Sequence, residues 1–222
     1  MKVLFIGNSY TFYNDVPAQL SGLARSDEGA GPIQTEYVAF GGADLEAHYR
    51  GGAAERVAEP QWTHVVLQEK STGTLHASRA YRRYVVKLGR RAHGKVLLYE
   101  TWARQLGHEV YRWPWSGRRP SGMLRRIRRE LAWAARTLGA EIVPVGQAWE
   151  RCLERYPKMV LHDTDMHHAS PLGSHLAACV FFAWLTGQDP EPLSFGADGV
   201  NDEDARRLRS VARDVVRQAR DA

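Results

Sequence analysis

The sequence contains few of the residues and motifs that identify several common protein classes. It has two cysteines in 222 residues, Cys152 and Cys179, far apart and without a Cys-x-x-Cys neighbour. This excludes a disulfide framework and a cysteine-based zinc site, and predicts buried thiols. No stretch approaches the ~20 apolar residues of a membrane helix. Neither G-x-G-x-x-G nor G-x-x-x-x-G-K-[ST] occurs, so a phosphate-binding loop is not indicated.

The apolar run near the amino terminus is also short. It covers residues 3–6 and passes directly into Gly7, whereas a signal peptide needs a longer hydrophobic region. We therefore expect a soluble, cytoplasmic protein that has no membrane partner.

The composition predicts one globular domain over residues 1–222. Hydrophobic residues make up 44% and charged residues 25% of the chain, which has a formal net charge of +5. The densest basic stretch, residues 118–129, carries Leu124 and Ile127 at helical spacing. A solvated helix face is the favoured interpretation, with binding of a polyanion as the alternative, and we do not expect a nucleic-acid partner. Oligomeric state is not indicated.

Short apolar runs alternate with amphipathic segments along the chain. The predicted strands are residues 3–6, 33–40, 63–67, 95–99 and 141–145. The predicted helices are residues 15–25, 44–58 (weak, with internal glycines), 77–93, 121–138, 147–156, 171–185 and 201–219. This alternation indicates an α/β fold with a five-stranded parallel sheet. Residues 104–120, which are rich in aromatics, are predicted to be an insertion over the strand ends.

Ligands of parallel α/β sheets bind beyond the carboxyl ends of the strands. Ser9 follows the first predicted strand directly, in the turn Gly7-Asn8-Ser9. Asp165 and His168 lie three residues apart, just before a helix that Pro171 opens. A histidine that deprotonates a serine needs a carboxylate on its other ring nitrogen, and an Asp-x-x-His turn can supply both groups.

Several of these segments resemble the blocks of SGNH/GDSL hydrolases. Gly7-Asn8-Ser9 is similar to the family's Gly-Asp-Ser block, and Asp165-Met166-His167-His168 to its Asp-x-x-His block. Gly41-Gly42 resembles the block whose glycine amide lines the oxyanion hole. Gln68-Glu69, where the family usually has Gly-x-Asn-Asp, resembles a less common subgroup, and Thr101-Trp102-Ala103 also fits it.

The resemblance implies a flavodoxin-like three-layer α/β/α sandwich and a serine hydrolase that needs no cofactor. Its triad would be Ser9, His168 and Asp165. Its oxyanion hole would consist of the backbone N–H groups of Ser9 and Gly42 and the side-chain amide of Gln68. The predicted activity is hydrolysis of small acyl esters, such as acetyl esters of a carbohydrate or metabolite, through an acyl-enzyme. The alternative is a non-catalytic protein that binds a ligand or nucleic acid on the same fold.

Other residues at the strand ends are weaker candidates. Those that could contact a substrate are Asn8, Glu69, Trp102, Trp113 and Trp115. The aromatic residues could form an acyl pocket or a face for a sugar ring, or they could only pack the insertion. The histidines and aspartates of residues 162–168 resemble metal ligands, but consecutive His167 and His168 cannot easily point the same way, so no metal is predicted.

Overall fold

The computed structural model describes residues 1–221, in which one sheet has helices on both faces. The strands are β1 (Lys2–Gly7), β2 (Gln34–Ala39), β3 (His64–Leu67), β4 (Lys95–Tyr99) and β5 (Glu141–Val143). They lie in the order β2-β1-β3-β4-β5, and every neighbouring pair is parallel. The predicted α/β class with a five-stranded parallel sheet is therefore confirmed. Residue 222, the last of the predicted domain, lies outside the described residues.

Helices connect the strands and follow the last one. They are α1 (Ser9–Phe12), α2 (Val16–Arg25), α3 (Leu45–Arg50), α4 (Ala53–Val57), α5 (Gly73–His76), α6 (Ser78–Gly89), α7 (Pro120–Leu138), α8 (Val145–Arg155), α9 (Pro171–Thr186) and α10 (Asp202–Arg220). The weak helix predicted over 44–58 is two helices, because Gly52 adopts a left-handed conformation with φ +88° between them. Among the described helices, none combines the length and apolar composition needed to cross a membrane.

The core is divided between the two faces of the sheet. Successive side chains of a strand point to opposite faces, so Leu4 and Ile6 of β1 pack on one side and Val3 and Phe5 on the other. Helices α3, α4, α6 and α7 cover the first face, and α2, α8, α9 and α10 cover the second. Because both faces are covered, the central strands β1, β3 and β4 are apolar over most of their length, whereas the edge strand β2 is largely polar and partly exposed.

The insertion predicted over 104–120 is compact and contains two 3₁₀ helices, Glu109–Arg112 and Pro114–Ser116. It follows β4, and its first residues lie close to the loop that precedes α9, since the N–H of Gln105 donates to the carbonyl of Met166 (3.0 Å). The carboxyl ends of β1, β3 and β4 share one edge of the sheet. The late loop thus lies at the same edge as the turn after β1.

Candidate active site

The turn between β1 and α1 holds Ser9 in a fixed position. Asn8 caps the helix, because its Oδ1 accepts a hydrogen bond from the N–H of Tyr10 (3.1 Å). The Nδ2 of Asn8 donates to the carbonyl of Ala43 (2.8 Å), which ties this turn to the turn after β2. Ser9 is the first residue of α1 and keeps 8% of its surface exposed. Ser9 therefore retains a small contact with solvent, while the hydrogen bonds of Asn8 hold its backbone in place.

Gln68 supports this turn from beneath. Its Oε1 accepts hydrogen bonds from the N–H of Asn8 (2.8 Å) and the hydroxyl of Thr11 (3.0 Å). Its Nε2 donates to the carbonyl of Glu69 (2.9 Å), and the side chain is fully buried. A Cβ at Gly7 would lie 2.5 Å from Gln68 Oε1, so the close approach requires glycine. The prediction that Gln68 donates to an oxyanion is corrected: its amide is directed into the protein and holds the turn.

The loop before α9, residues 162–170, is organised mainly by its own hydrogen bonds. Asp165 Oδ1 accepts from the N–H groups of His167 (2.9 Å) and His168 (2.8 Å). Met166 has a left-handed backbone with φ +64°, which lets the chain fold back over the aspartate. A bridge between His162 and Ala169 closes the loop at its base.

Ser9, His168 and Asp165 lie in one hydrogen-bonded chain. His168 Nε2 is 2.8 Å from Ser9 Oγ, and His168 Nδ1 is 2.5 Å from Asp165 Oδ2. An ionised carboxylate can only accept, so Nδ1 of His168 carries a proton and donates a hydrogen bond to Asp165. Nε2 of the neutral ring is then the acceptor for the serine hydroxyl. This arrangement can deprotonate Ser9 and stabilise the resulting imidazolium.

The surroundings of Asp165 favour its ionised form. Partial burial opposes ionisation, but the hydrogen bonds from His168 and from the two loop N–H groups outweigh it and hold the pKa of Asp165 below its usual range. Burial and, secondarily, the charge of Arg104 lower the pKa of His167 to about 4. Asp165 is thus a permanent anion beside His168 at neutral pH, whereas His167 is uncharged.

Two residues that the sequence did not single out complete the triad region. The ring of Tyr13 stacks on that of His168, with centroids 4.5 Å apart and planes 12° apart. Asn14 Nδ2 donates to the carbonyl of Ala169 (3.2 Å) and to Ser174 Oγ (3.0 Å), and so joins the first turn to the late loop. Asn14 has φ +52°, a conformation that asparagine tolerates better than most residues. In the sequence, Asn14 and Asp15 mark a turn but do not indicate that Asn14 reaches the late loop.

Two backbone N–H groups are available for the predicted oxyanion hole. Within residues 1–221, neither the N–H of Ser9 nor that of Gly42 has a hydrogen-bond acceptor. Gly42 has φ +69°, in the turn that Asn8 binds through the carbonyl of Ala43. These two groups stay candidates for stabilising charge on an ester oxygen.

Three of the residues predicted to contact substrate are buried. Both polar groups of Asn8 are used within the turn. The carboxyl group of Glu69 accepts from the N–H groups of Leu45 (3.1 Å) and Lys70 (2.9 Å), and burial raises its pKa to about 8. Trp102 is buried as well. These contacts give Asn8, Glu69 and Trp102 a supporting role, and contact of any of them with a substrate stays a prediction.

Trp102 lies in a stack of aromatic rings under the late loop. Its ring stacks between Tyr10 (4.4 Å) and Trp149 (4.1 Å), and its Nε1 donates to the carbonyl of His167 (2.9 Å). The tryptophan thus fixes the position of the residue that precedes His168.

The two remaining tryptophans belong to the insertion. Trp113 is 58% exposed, and Trp115 packs edge to face against His76 (5.2 Å). Contact of either ring with a substrate stays a prediction.

A metal is not required to explain the clustered ligand atoms of the late loop. Atoms of Asp165, His167 and His168 lie within 4.8 Å of one another. However, the ligand atoms of His168 are already engaged, Nδ1 by Asp165 Oδ2 and Nε2 by Ser9 Oγ. The geometry of the hydrogen-bonded chain accounts for the cluster.

Comparison with known proteins yields matches of structure. No protein-family model matches the chain, and no curated protein matches its sequence. A protein from Slackia heliotrinireducens, described as a candidate SGNH hydrolase, is 29% identical, with a TM-score of 0.69 over 85% of this chain and 99% of that chain. A DUF4886 family protein from Bacteroides uniformis is 20% identical, with a TM-score of 0.81 over 97% and 94% of the two chains.

An acetylxylan esterase from Geobacillus stearothermophilus, solved as a catalytic mutant, is similar at 13% identity. Its TM-score is 0.61, over 85% of this chain and 95% of that chain. At 13% and 20% identity the similarity shows the fold alone. Together the matches confirm the resemblance to SGNH/GDSL hydrolases, while the subgroup suggested by Gln68-Glu69 stays a prediction.

Proposed function

We propose that this chain, whose fold is that of the SGNH/GDSL hydrolases, is a serine esterase in which Ser9 is the nucleophile. The single observation that carries the proposal is the 2.8 Å separation of His168 Nε2 from Ser9 Oγ, with Asp165 on the other ring nitrogen. These groups come from opposite ends of the chain, and they meet at the edge of the sheet where ligands bind in such folds.

The proposed reaction proceeds through an acyl-enzyme. Ser9 Oγ attacks the ester carbon while His168 Nε2 takes the hydroxyl proton. Negative charge on the former carbonyl oxygen is stabilised by the N–H groups of Ser9 and Gly42. His168 then gives its proton to the leaving alcohol oxygen as the ester bond breaks. Water repeats the sequence on the acyl-enzyme and releases the acid.

Short acyl groups, such as acetyl, are the proposed acyl part. Ser9 is only 8% exposed, and Asn8, Tyr10 and Gln68 surround its turn, which favours small, unbranched acyl groups. A sugar or metabolite alcohol is the proposed leaving group, because the exposed rings of Tyr13 and Trp113 can stack on such a molecule.

The test is hydrolysis of p-nitrophenyl esters of increasing acyl length, together with labelling by a fluorophosphonate probe. We expect the wild type to favour acetyl or butyryl esters, and Ser9→Ala to lose activity by a factor on the order of 10⁶. Ser78→Ala, at the start of α6, is the matched control and should behave as wild type. Equal labelling of wild type and Ser9→Ala would reject the nucleophile, and a wild type without turnover would favour the binding-protein alternative.

A further inference from the structure

A cleft of about 490 Å³ lies beside the late loop, between the segment that follows β4 and helices α7 and α8. Its walls are largely apolar and include Trp102, Leu106, Leu124, Trp149 and Leu153. Two hydrogen bonds join one wall to the triad loop, from Trp102 Nε1 to His167 and from the Gln105 N–H to Met166. The cleft is thus adjacent to the proposed catalytic centre, although Ser9 and His168 do not line it.

Arg104, which lines this cleft, is a buried cation without a protein counter-ion. It is 9% exposed, and its Nε and Nη1 are buried with no acceptor among residues 1–221. Among residues 1–221, no carboxylate lies within ion-pair distance of the Arg104 guanidinium. An unpaired buried charge costs several kcal/mol, so proteins rarely keep one without a use.

The histidines and the tyrosine that the charge of Arg104 influences supply no negative charge, and the carboxylate of Asp165, which acts on the same groups, is bound to His168. Burial, together with the charge of Arg104, lowers the pKa values of His108 and His167. In His162, burial and Arg104 likewise lower the pKa, against a hydrogen bond to a carbonyl. Burial raises the pKa of Tyr10, so its hydroxyl stays protonated. These histidines and Tyr10 are therefore neutral at pH 7.

The solvent-exposed end of the cleft, in contrast, carries both acidic and basic residues. Glu150 and Glu154 line it together with Arg119, and both Arg119 and Glu154 are exposed to solvent. At the buried end the unpaired groups are donors only, because Trp149 Nε1 is also buried without an acceptor among the described residues. A set of donors with a fixed positive charge and apolar walls is complementary to an organic anion.

We propose that Arg104 binds a carboxylate carried by the ester substrate, whose carbon skeleton lies along the apolar walls of the cleft. This inference rests on the proposed esterase function. The guanidinium carbon of Arg104 is 5.9 Å from the ring centroid of Tyr10, and the ring of His168 is 5.7 Å from the same centroid. The carboxylate and the reacting carbonyl are thus separated by a chain of several carbons, as in monoesters of dicarboxylic acids.

The experiment compares charged and uncharged esters of matched length. The charged set is the mono-p-nitrophenyl esters of succinate, glutarate and adipate, and the uncharged set is the butyrate, valerate and hexanoate esters. We expect kcat/KM of the wild type to be higher for at least one charged ester by about 10- to 100-fold, the effect of a hydrogen bond to a charged group. Arg104→Met should remove this preference, mainly by raising KM, and leave the uncharged esters within about twofold.

Three controls separate this role from a structural one. Arg125→Met removes a positive charge from the exposed face of α7 and should leave the preference unchanged. Arg104→Lys keeps the charge but loses the planar fork, so it should keep only part of the preference. Arg104→Met should melt at the same temperature as wild type or higher, because it removes an unpaired buried charge.

A wild type that hydrolyses both ester sets equally would overturn the proposal. So would an Arg104→Met variant that is less stable and loses activity equally on both sets, since Arg104 would then be structural.

If no ester is hydrolysed and Ser9 is not labelled, the esterase proposal fails separately. In that case calorimetric titration with benzoate decides the subsite: binding that Arg104→Met abolishes supports it, and no binding by the wild type rejects it. Phosphate, titrated in the same way, distinguishes a carboxylate site from a general oxyanion site, which would contradict the specific assignment.

Discussion

The turn that carries Ser9 and the loop that carries His168 are positioned by different means. The turn follows a buried central strand and is held by buried polar groups, with Asn8 above and Gln68 beneath. The loop is half-exposed, and its shape comes from hydrogen bonds between Asp165 and its own backbone. The turn is thus rigid because of the fold, whereas the loop is rigid because of its local sequence.

This difference shows why the two regions need a separate connection. The loop reaches Ser9 only if it is fixed against the rest of the protein, and three contacts do so: Asn14 to Ala169, Trp102 to His167 and Gln105 to Met166. Each uses a backbone carbonyl of the loop as acceptor, so the side chains of Asp165 and His168 stay free for the triad.

Of the variants that separate the turn from the loop, removal of the Asp165 carboxylate should have the largest effect on kcat. Asp165→Asn should lower kcat for a short acyl ester by about 10⁴-fold, because an amide no longer fixes the tautomer of His168. Asp163→Asn, an exposed residue of the same loop, is the control and should retain activity. Similar losses in both variants would mean that the loop, and not the Asp165–His168 pair, had been disturbed.

The same variant has a predicted pH signature. The pKa of Asp165 is lower in the folded protein than its unfolded value of ~3.9. Its contribution to the free energy of unfolding is therefore fully present above that value and is lost as the pH falls through the folded pKa. Denaturant unfolding should thus show wild type more stable than Asp165→Asn at pH 7, and the difference should shrink under strong acid. A difference that is independent of pH would contradict this ionisation.

Cutting the connection between the two regions gives an intermediate effect. Asn14→Gly keeps the positive φ but loses the bonds to Ala169 and Ser174. We expect kcat to fall about 10- to 100-fold, as for a displacement of a catalytic group by about 1 Å. Asn201→Gly, which replaces the cap of α10, controls for the general effect of the substitution. Unchanged kcat in Asn14→Gly would show that the other anchors suffice.

Altering the support of the turn gives the smallest expected effect. Asn8→Asp keeps the cap on the N–H of Tyr10 but loses the donor to the carbonyl of Ala43. It places a carboxylate oxygen against that carbonyl oxygen, and both atoms are acceptors. The free energy of unfolding should fall by about 1–3 kcal/mol. Asn8→Ala, which loses both contacts, should be no more stable than Asn8→Asp on denaturant titration. A more stable Asn8→Asp than wild type would refute the role given to the amide.

Much of the fold was predictable, because apolar periodicity reports burial directly. The third and fourth strands were predicted within about a residue of their ends, as was α7. The split of residues 44–58 into α3 and α4 was not, since a glycine pair marks a possible break without stating whether the chain resumes as helix. At the site, Ser9, Asp165 and His168 were recognisable from their motifs and strand-end positions.

Other site residues were missed or misassigned for one physical reason: a position in the sequence does not give the direction of a side chain. Gln68 follows β3 at the correct edge, yet its amide turns beneath Gly7. For Trp102 the sequence left open substrate contact or packing, and its ring lies stacked between those of Tyr10 and Trp149. Arg104 was one arginine among many, and only its burial sets it apart.

The sequence by itself determined which elements form and which polar residues follow the strands, because both depend on local patterns of burial and turn chemistry. The tertiary structure decided which of those residues meet and which face inward. Parallel strands bring residues 9 and 168 to one edge of the sheet, and only packing in three dimensions fixes the atoms of a serine and a histidine at hydrogen-bond distance.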